Sequence, residues 1–217
     1  MVTVSTLKAK SSKESARKRY HHGDLRAALV DAGLILLAER NADDLSLREL
    51  AREVGVSATA VYRHFPDKHA LMSALAAEGL HQLSIAQHAA LDAAGGGLVG
   101  FNATGRAYVR FALANPALFR LIFSHPSRAG LLSPDSDDVP DAMAFLRANA
   151  AALAPPGGNP RAVALHGWSV AHGLAMLMLD GQIPADESMI DAVVNGELGT
   201  HTVEKPVARK RAKAPTR

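Results

Sequence analysis

The segment LRELAREVGVSATAVYRHFPDK, residues 47–68, constrains the fold more than any other stretch. Two short helical patterns, one ending at Val54 and one beginning after Ser57, leave almost no chain to join them. Gly55 stands at the corner, where a helix C-terminus wants positive φ and only glycine supplies it without a Cβ penalty. Ser57 is placed to cap the next helix by accepting from the amide near Ala60. Helices joined so tightly cross steeply, which is helix-turn-helix geometry. The second helix then sorts by face. Val61 and Phe65 share a buried side with Leu50 and Val54 behind them, while Thr59 and Arg63 point the other way.

That outward face has chemistry suited to a nucleic-acid groove. Ala58 and Thr59 are small enough for close backbone approach, and either methyl can contact a thymine methyl. Arg63 can donate to guanine O6 and N7, and Tyr62 and His64 can reach phosphate. Lys68 and Arg48 add positive charge beside the first turns of their own helices. An αα-corner with merely solvated Arg and His has the same spacing.

The rest of the chain reads as helix throughout. Alanine and leucine dominate, and no period-2 run of Val, Ile or Thr persists. Asp24 caps a first helix with Leu25, Ala28, Leu29, Ala32 and Leu36 on one face, ending near Arg40. Ser46 caps the second, with Glu49 completing a capping box. Pro66-Asp67 opens a long helix to about Asp92, and Gly95 to Gly97 form a joint. Further helices are expected over 99–114, 116–124, 141–153, 160–180 and 186–199, with 125–140 as a loop or weakly ordered crossover. Ala162 to Leu179 contains no Asp, Glu, Lys or Arg. It barely reaches spanning length, and an all-round apolar helix of this kind is expected at a core or an interface rather than in a membrane.

Charge is unevenly placed. Residues 1–19 carry a net +5 and 205–217 a net +6, so the body between them is acidic although the chain totals +3. Such basic ends suit contact with nucleic acid or acidic surfaces, or serve as disordered solubilising tails. The chain has no cysteine, which removes disulfides, thiolate metal sites and cysteine nucleophiles and fits a reducing cytoplasm. The N-terminus has no apolar run of signal-peptide length.

The residues YHHGDLRAALVDAGLILLAER followed by LSLRELAREVGVSATAVYRHFPDKHAL resemble the N-terminal domain of TetR-family transcriptional regulators across 20–75. The resemblance includes the G-V-S turn, the Y-x-H-F core and the lysine that follows. It places DNA contacts on Arg48, Ser57, Ala58, Thr59, Tyr62, Arg63, His64 and Lys68; at Ala58 many members carry a longer or polar side chain. Further on, ALHGWSVAHGLAMLMLDG (164–181) is similar to the W-x-x-x-H-G-x-A-x-L-x-x-D-G signature of one regulator subgroup. The resemblance implies an all-α protein of about nine helices. It comprises a basic arm (1–19), a three-helix DNA-binding domain (20–68), a ligand-binding and dimerising domain (69–200) and a basic tail (201–217).

By the same resemblance, the Trp168 helix and the last helix pair with those of a second copy as a four-helix bundle. Gly167, Val170, Gly173, Leu174, Leu177, Ile190 and Val194 are the expected interface. A pocket is expected among Tyr108, Phe111, Phe119, Phe123, Trp168, His172 and Met176, an apolar cavity with few polar handles suited to a lipophilic small molecule. The same stripe is compatible with plain core. The implied protein is a homodimeric repressor in the cytoplasm that reads a palindromic operator in double-stranded DNA and releases it on binding a small-molecule effector. It needs no cofactor.

Enzyme signals fail on context. GGGLVG (95–100) fits G-x-G-x-x-G but follows a helix rather than a strand. GWSVA (167–171) misses the nucleophile elbow by its last residue and lies inside a helix. His81 and His88 stand two turns apart, roughly 10 Å by helix rise, too far for one metal ion. Two other classes remain in play: a sequence-tolerant DNA-packaging protein acting through its basic tails, and a carrier or degenerate enzyme using the helical pocket alone.

Overall fold

The computed structural model describes residues 24–124 and 141–196. The expected basic arm and tail, and the crossover at 125–140, lie outside them. Among the described residues there are nine α-helices, one 3₁₀ turn and no strand.

The first three helices pack together as one small unit. α1 (Leu25–Glu39) starts where Asp24 Oδ1 accepts from the Ala27 amide at 3.0 Å, and it buries Leu29, Val30, Gly33, Leu36 and Leu37. A 3₁₀ turn (Ala42–Asp44) leads to α2 (Leu47–Val54). The Ser46 hydroxyl caps α2 by accepting from the Glu49 amide at 3.2 Å. The expected capping box is only half formed. Glu49 Oε1 instead accepts from Arg40 at 2.6 Å, because an unpaired guanidinium competes better for a carboxylate than one more backbone amide. Gly55 ends α2 at φ 79°, ψ 33°, and both its amide and that of Val56 return to the Ala51 carbonyl. α3 (Ala58–His64) follows at once.

α4 (Lys68–Ala93) is the spine, about 39 Å long at 1.5 Å per residue. Asp67 caps it by accepting from the Ala70 amide at 2.8 Å. Its first half packs on α1, its second on α5 (Gly97–Ala114) and α7 (Asp141–Leu153). α6 (Pro116–Ser124) crosses it closely at Gly79, where a Cβ would come within 2.8 Å of Leu118 and 2.9 Å of Ile122. Gly79 is therefore a contact surface between the two helices. α8 (Pro160–Leu179) and α9 (Glu187–Asn195) close the bundle against α5. α9 is shorter than expected within the described residues, because Gly196 adopts the left-handed cap at φ 70°.

One core runs through the molecule, from Leu29, Leu50, Val61 and Phe65 through Leu71, Leu75 and Leu83 to Phe119, Ile122, Ala175 and Ile190. The spine makes it continuous: residues of α4 face the helix-turn-helix at one end and the C-terminal bundle at the other. α8 is long and apolar enough, by length and composition, to cross a membrane, but only 28% of its apolar window is buried within the protomer. It lies against α5, α7 and α9, with its other side uncovered.

Candidate nucleic-acid interface and ligand cavity

α3 is held rigidly and faces outward. Ser57 Oγ accepts from the Ala60 amide at 3.2 Å, fixing its first turn. Val61 (0% exposed) and Phe65 (1% exposed) anchor it underneath, and the guanidinium of Arg26 lies 5.3 Å from the Phe65 ring centroid. Ser57, Thr59, Tyr62, Arg63 and His64 are exposed, Tyr62 at 45%, and Ala58 is half-buried at the start of the row. Thr59 and Arg63 stand one turn apart, four residues along the helix, with Tyr62 beside them.

Arg48 is exposed at the start of α2. Among the described residues neither Arg48 nor Arg63 forms an ion pair, so both guanidinium groups are open to phosphate or base edges. Lys68 differs: its Nζ donates to the Asp43 carbonyl at 2.5 Å, tying the 3₁₀ turn to the start of the spine. The lysine is thus a strut between two elements that flank the recognition helix.

In the C-terminal bundle a cavity of about 400 Å³ opens between α4, α5, α7, α8 and α9. This is within the usual range for small-molecule sites. Tyr108 and Trp168, both expected as lining, do line it, as do Gln87, Phe101, Thr104, Met143, Val163 and Val193. Phe111, Phe119, Phe123, His172 and Met176 do not. Three of these pack together in an aromatic cluster: the Phe123 ring centroid lies 4.9 Å from those of both Phe119 and His172, tilted or edge-on, and Phe119 is fully buried. An aromatic at helical spacing satisfies core packing as readily as cavity lining. Gln87 was missed, though it carried a signal: it is a polar residue on the same helical face as Leu80 and Leu83.

Behind the cavity runs a hydrogen-bonded chain. Trp168 Nε1 donates to the Tyr108 hydroxyl at 3.1 Å, and that hydroxyl lies 2.8 Å from His172 Nδ1. Burial raises the Tyr108 pKa and lowers that of His172, so a neutral phenol faces a neutral imidazole.

The expected dimer residues divide. Leu174 (5% exposed) and Ile190 (1% exposed) belong to the protomer's own core. Gly167 backs onto Phe101, where a Cβ would come within 2.7 Å, and Val194 fills the space over Gly105. Gly173 has open space above it, Val170 is half-buried, and Leu177 is 47% exposed. Leu165 (50%) and Met189 (47%) are exposed apolar residues on the same two helices that the sequence reading did not name.

A rigidly seated helix-turn-helix joined by one continuous helix to an apolar-walled bundle defines a two-domain DNA-binding regulator. Comparison with known families agrees. Residues 29–75 match the model described as "Bacterial regulatory proteins, tetR family", and 101–199 match the "Tetracyclin repressor-like, C-terminal domain" model. The chain belongs to the TetR family of transcriptional regulators, with a DNA-binding and a ligand-binding domain. It is similar to a protein of unknown function from Rhodococcus sp. RHA1, with 31% identity over 82% of this chain and 94% of that one and a TM-score of 0.65. It shares its fold with a tetR-family transcriptional regulator from Streptomyces coelicolor, at 19% identity over 78% and 76% of the two chains and a TM-score of 0.56.

Proposed function

We propose that the protein is a homodimeric repressor that reads a palindromic operator and leaves it when a small, mainly apolar effector enters the bundle cavity. Support comes from one relationship above all: α4 is a single uninterrupted helix that begins four residues after the recognition helix ends and reaches the cavity wall at Gln87. An effector that displaces the cavity wall shifts the spine against which α1 of the DNA-binding unit packs. Its effect on DNA equals its differential affinity for the two arrangements.

In the dimer, the uncovered face of α8 carrying Leu165, Gly173 and Leu177, with Met189 of α9, meets its copy across a two-fold axis. The isologous pairing covers the apolar side chains that the protomer leaves in water. It sets two α3 helices on one face of a duplex at half-sites roughly 34–36 Å apart. Each α3 presents Thr59 and Arg63 to base edges, with Arg48, Ser57, Tyr62 and His64 on phosphate and Ala58 allowing close approach. Lys68 supports this surface from the side.

Selection of bound duplexes from a random pool by the purified full-length chain tests the reading. One enriched palindrome, its preference relaxed at one position by Arg63→Ala, is the expected result. Enrichment without any shared sequence would instead mark a packaging protein and overturn it.

A further inference from the structure

We infer that the effector is a neutral, largely apolar molecule carrying one hydroxyl or comparable hydrogen-bond donor, and that Gln87 selects for that group. This rests on the reading of the bundle cavity as the effector site. Gln87 lines the cavity from α4 and is 6% exposed, and its Oε1 is buried with no hydrogen-bond partner among the described residues. A buried amide oxygen left without a donor is costly, so it marks the spot where a ligand gains most by supplying one.

Of the other polar groups around the cavity, Asn102 is only half-buried, and most of the rest are engaged or exposed. The Thr104 hydroxyl donates to the Phe101 carbonyl at 2.7 Å. The Tyr108 hydroxyl is held between Trp168 and His172. Asn195 accepts from Arg106 at 2.6 Å, and His166 is exposed. No Asp, Glu, Lys or Arg is among the described lining residues, so nothing there compensates a charged ligand for its lost hydration. An amide carries a donor as well as an acceptor, and a hydroxyl, which gives and takes, satisfies either orientation of the Gln87 side chain. Gln87 sits on the spine itself, so a hydrogen bond at this point acts directly on the helix that carries the recognition unit.

Trp168 lines the cavity and is the only tryptophan of the chain, so its fluorescence reports occupancy without a label. The probes are 1-octanol and its isomer 1-methoxyheptane, which differ by the donor alone, with octanoate and octylammonium as charged analogues. In the wild-type chain 1-octanol should bind at least about tenfold more tightly than the ether, the scale of one satisfied buried polar group. Both ions should bind more weakly still. In Gln87→Leu the alcohol-to-ether ratio should fall toward one while the ether is retained. Equal binding of alcohol and ether to the wild-type chain overturns the inference and leaves the cavity reading standing; so does tighter binding of either ion. If Gln87→Leu fails to fold, the wild-type comparison decides alone. If no probe perturbs Trp168, the inference and the cavity reading fall together, while operator selection still judges the DNA-binding reading independently.

Discussion

The Tyr108 hydroxyl lies 2.8 Å from Nδ1 of His172 while accepting from Trp168 at 3.1 Å. A phenol can accept from the indole and still donate its one proton to Nδ1 of His172, an arrangement open to the neutral imidazole that burial favours. Tyr108→Phe deletes both links and leaves the part-buried indole N–H without this partner, at about 1–3 kcal/mol. Each kcal/mol corresponds to about 2–4 °C in a chain of this size. Thermal melts of the variant should fall by several degrees, accompanied by a change in Trp168 emission. An unaltered melting temperature would mean that the chain of hydrogen bonds contributes nothing to stability.

The same pair makes stability depend on pH. Burial holds the His172 pKa below its ordinary value, so the unfolded chain takes up this proton first. The stabilisation is complete above the ordinary imidazole value of about 6.5 and is lost as pH falls from there through the folded-state value. Melts between pH 7.5 and 5 should therefore show a steeper acid-side loss for the wild-type chain than for His172→Phe. Parallel curves would remove His172 from the acid response.

Arg63 and Arg48 should separate reading from anchoring. Arg63→Ala removes a group placed to pair with a guanine edge, costing about 1–3 kcal/mol, and relaxes preference at one position of the selected operator. Arg48→Ala should weaken all sequences alike and reduce the salt dependence of binding by about one counterion. Both side chains are exposed, so neither variant should change the melting temperature. Operator titrations at several salt concentrations check both outcomes.

Phe65 and Gly55 support the recognition helix from beneath and from its corner. Phe65→Ala empties a fully buried site and should cost about 3–5 kcal/mol. Gly55→Ala forces a Cβ into φ 79°, at about 1–2 kcal/mol. No neighbouring atom lies within 4 Å of that Cβ position, so the loss is conformational rather than steric. Urea denaturation should rank Phe65→Ala well below Gly55→Ala, with the wild-type chain above both.

Leu177 and Ile190 distinguish surface from core on neighbouring helices. Leu177→Glu places a charge on the uncovered face of α8 and should yield folded monomers by light scattering, without operator binding. Ile190→Ala should instead destabilise each protomer by about 2–5 kcal/mol while leaving its oligomeric state unchanged. A dimer that persists in Leu177→Glu would move the interface elsewhere.

Local signals made the helix-turn-helix readable in advance. Gly55, Ser57 and Ser46 act on their own backbone, and Val61 and Phe65 follow a period set by helix geometry, so their roles are determined within a few residues of chain. The limits of most helices were legible for the same reason, through Asp24, Asp67, Pro116, Pro160 and the glycine joint at 95–97. Glu49 shows where that reasoning stops. Its capping position was correct, but the partner of its carboxylate was Arg40, nine residues back.

Only the packed structure decided which apolar residues face a cavity, which face a neighbour and which face outward. Phe119 and Tyr108 are alike by pattern and meet edge to face with ring centroids 5.4 Å apart, yet Tyr108 also lines a space and Phe119 does not. Leu174 and Leu177 sit three residues apart on α8, one buried under the bundle and one in water. Helical periodicity establishes that a residue belongs to the apolar side. Which element arrives on that side, and whether it fills the space, depends on crossing angles and side-chain volumes contributed by distant parts of the chain.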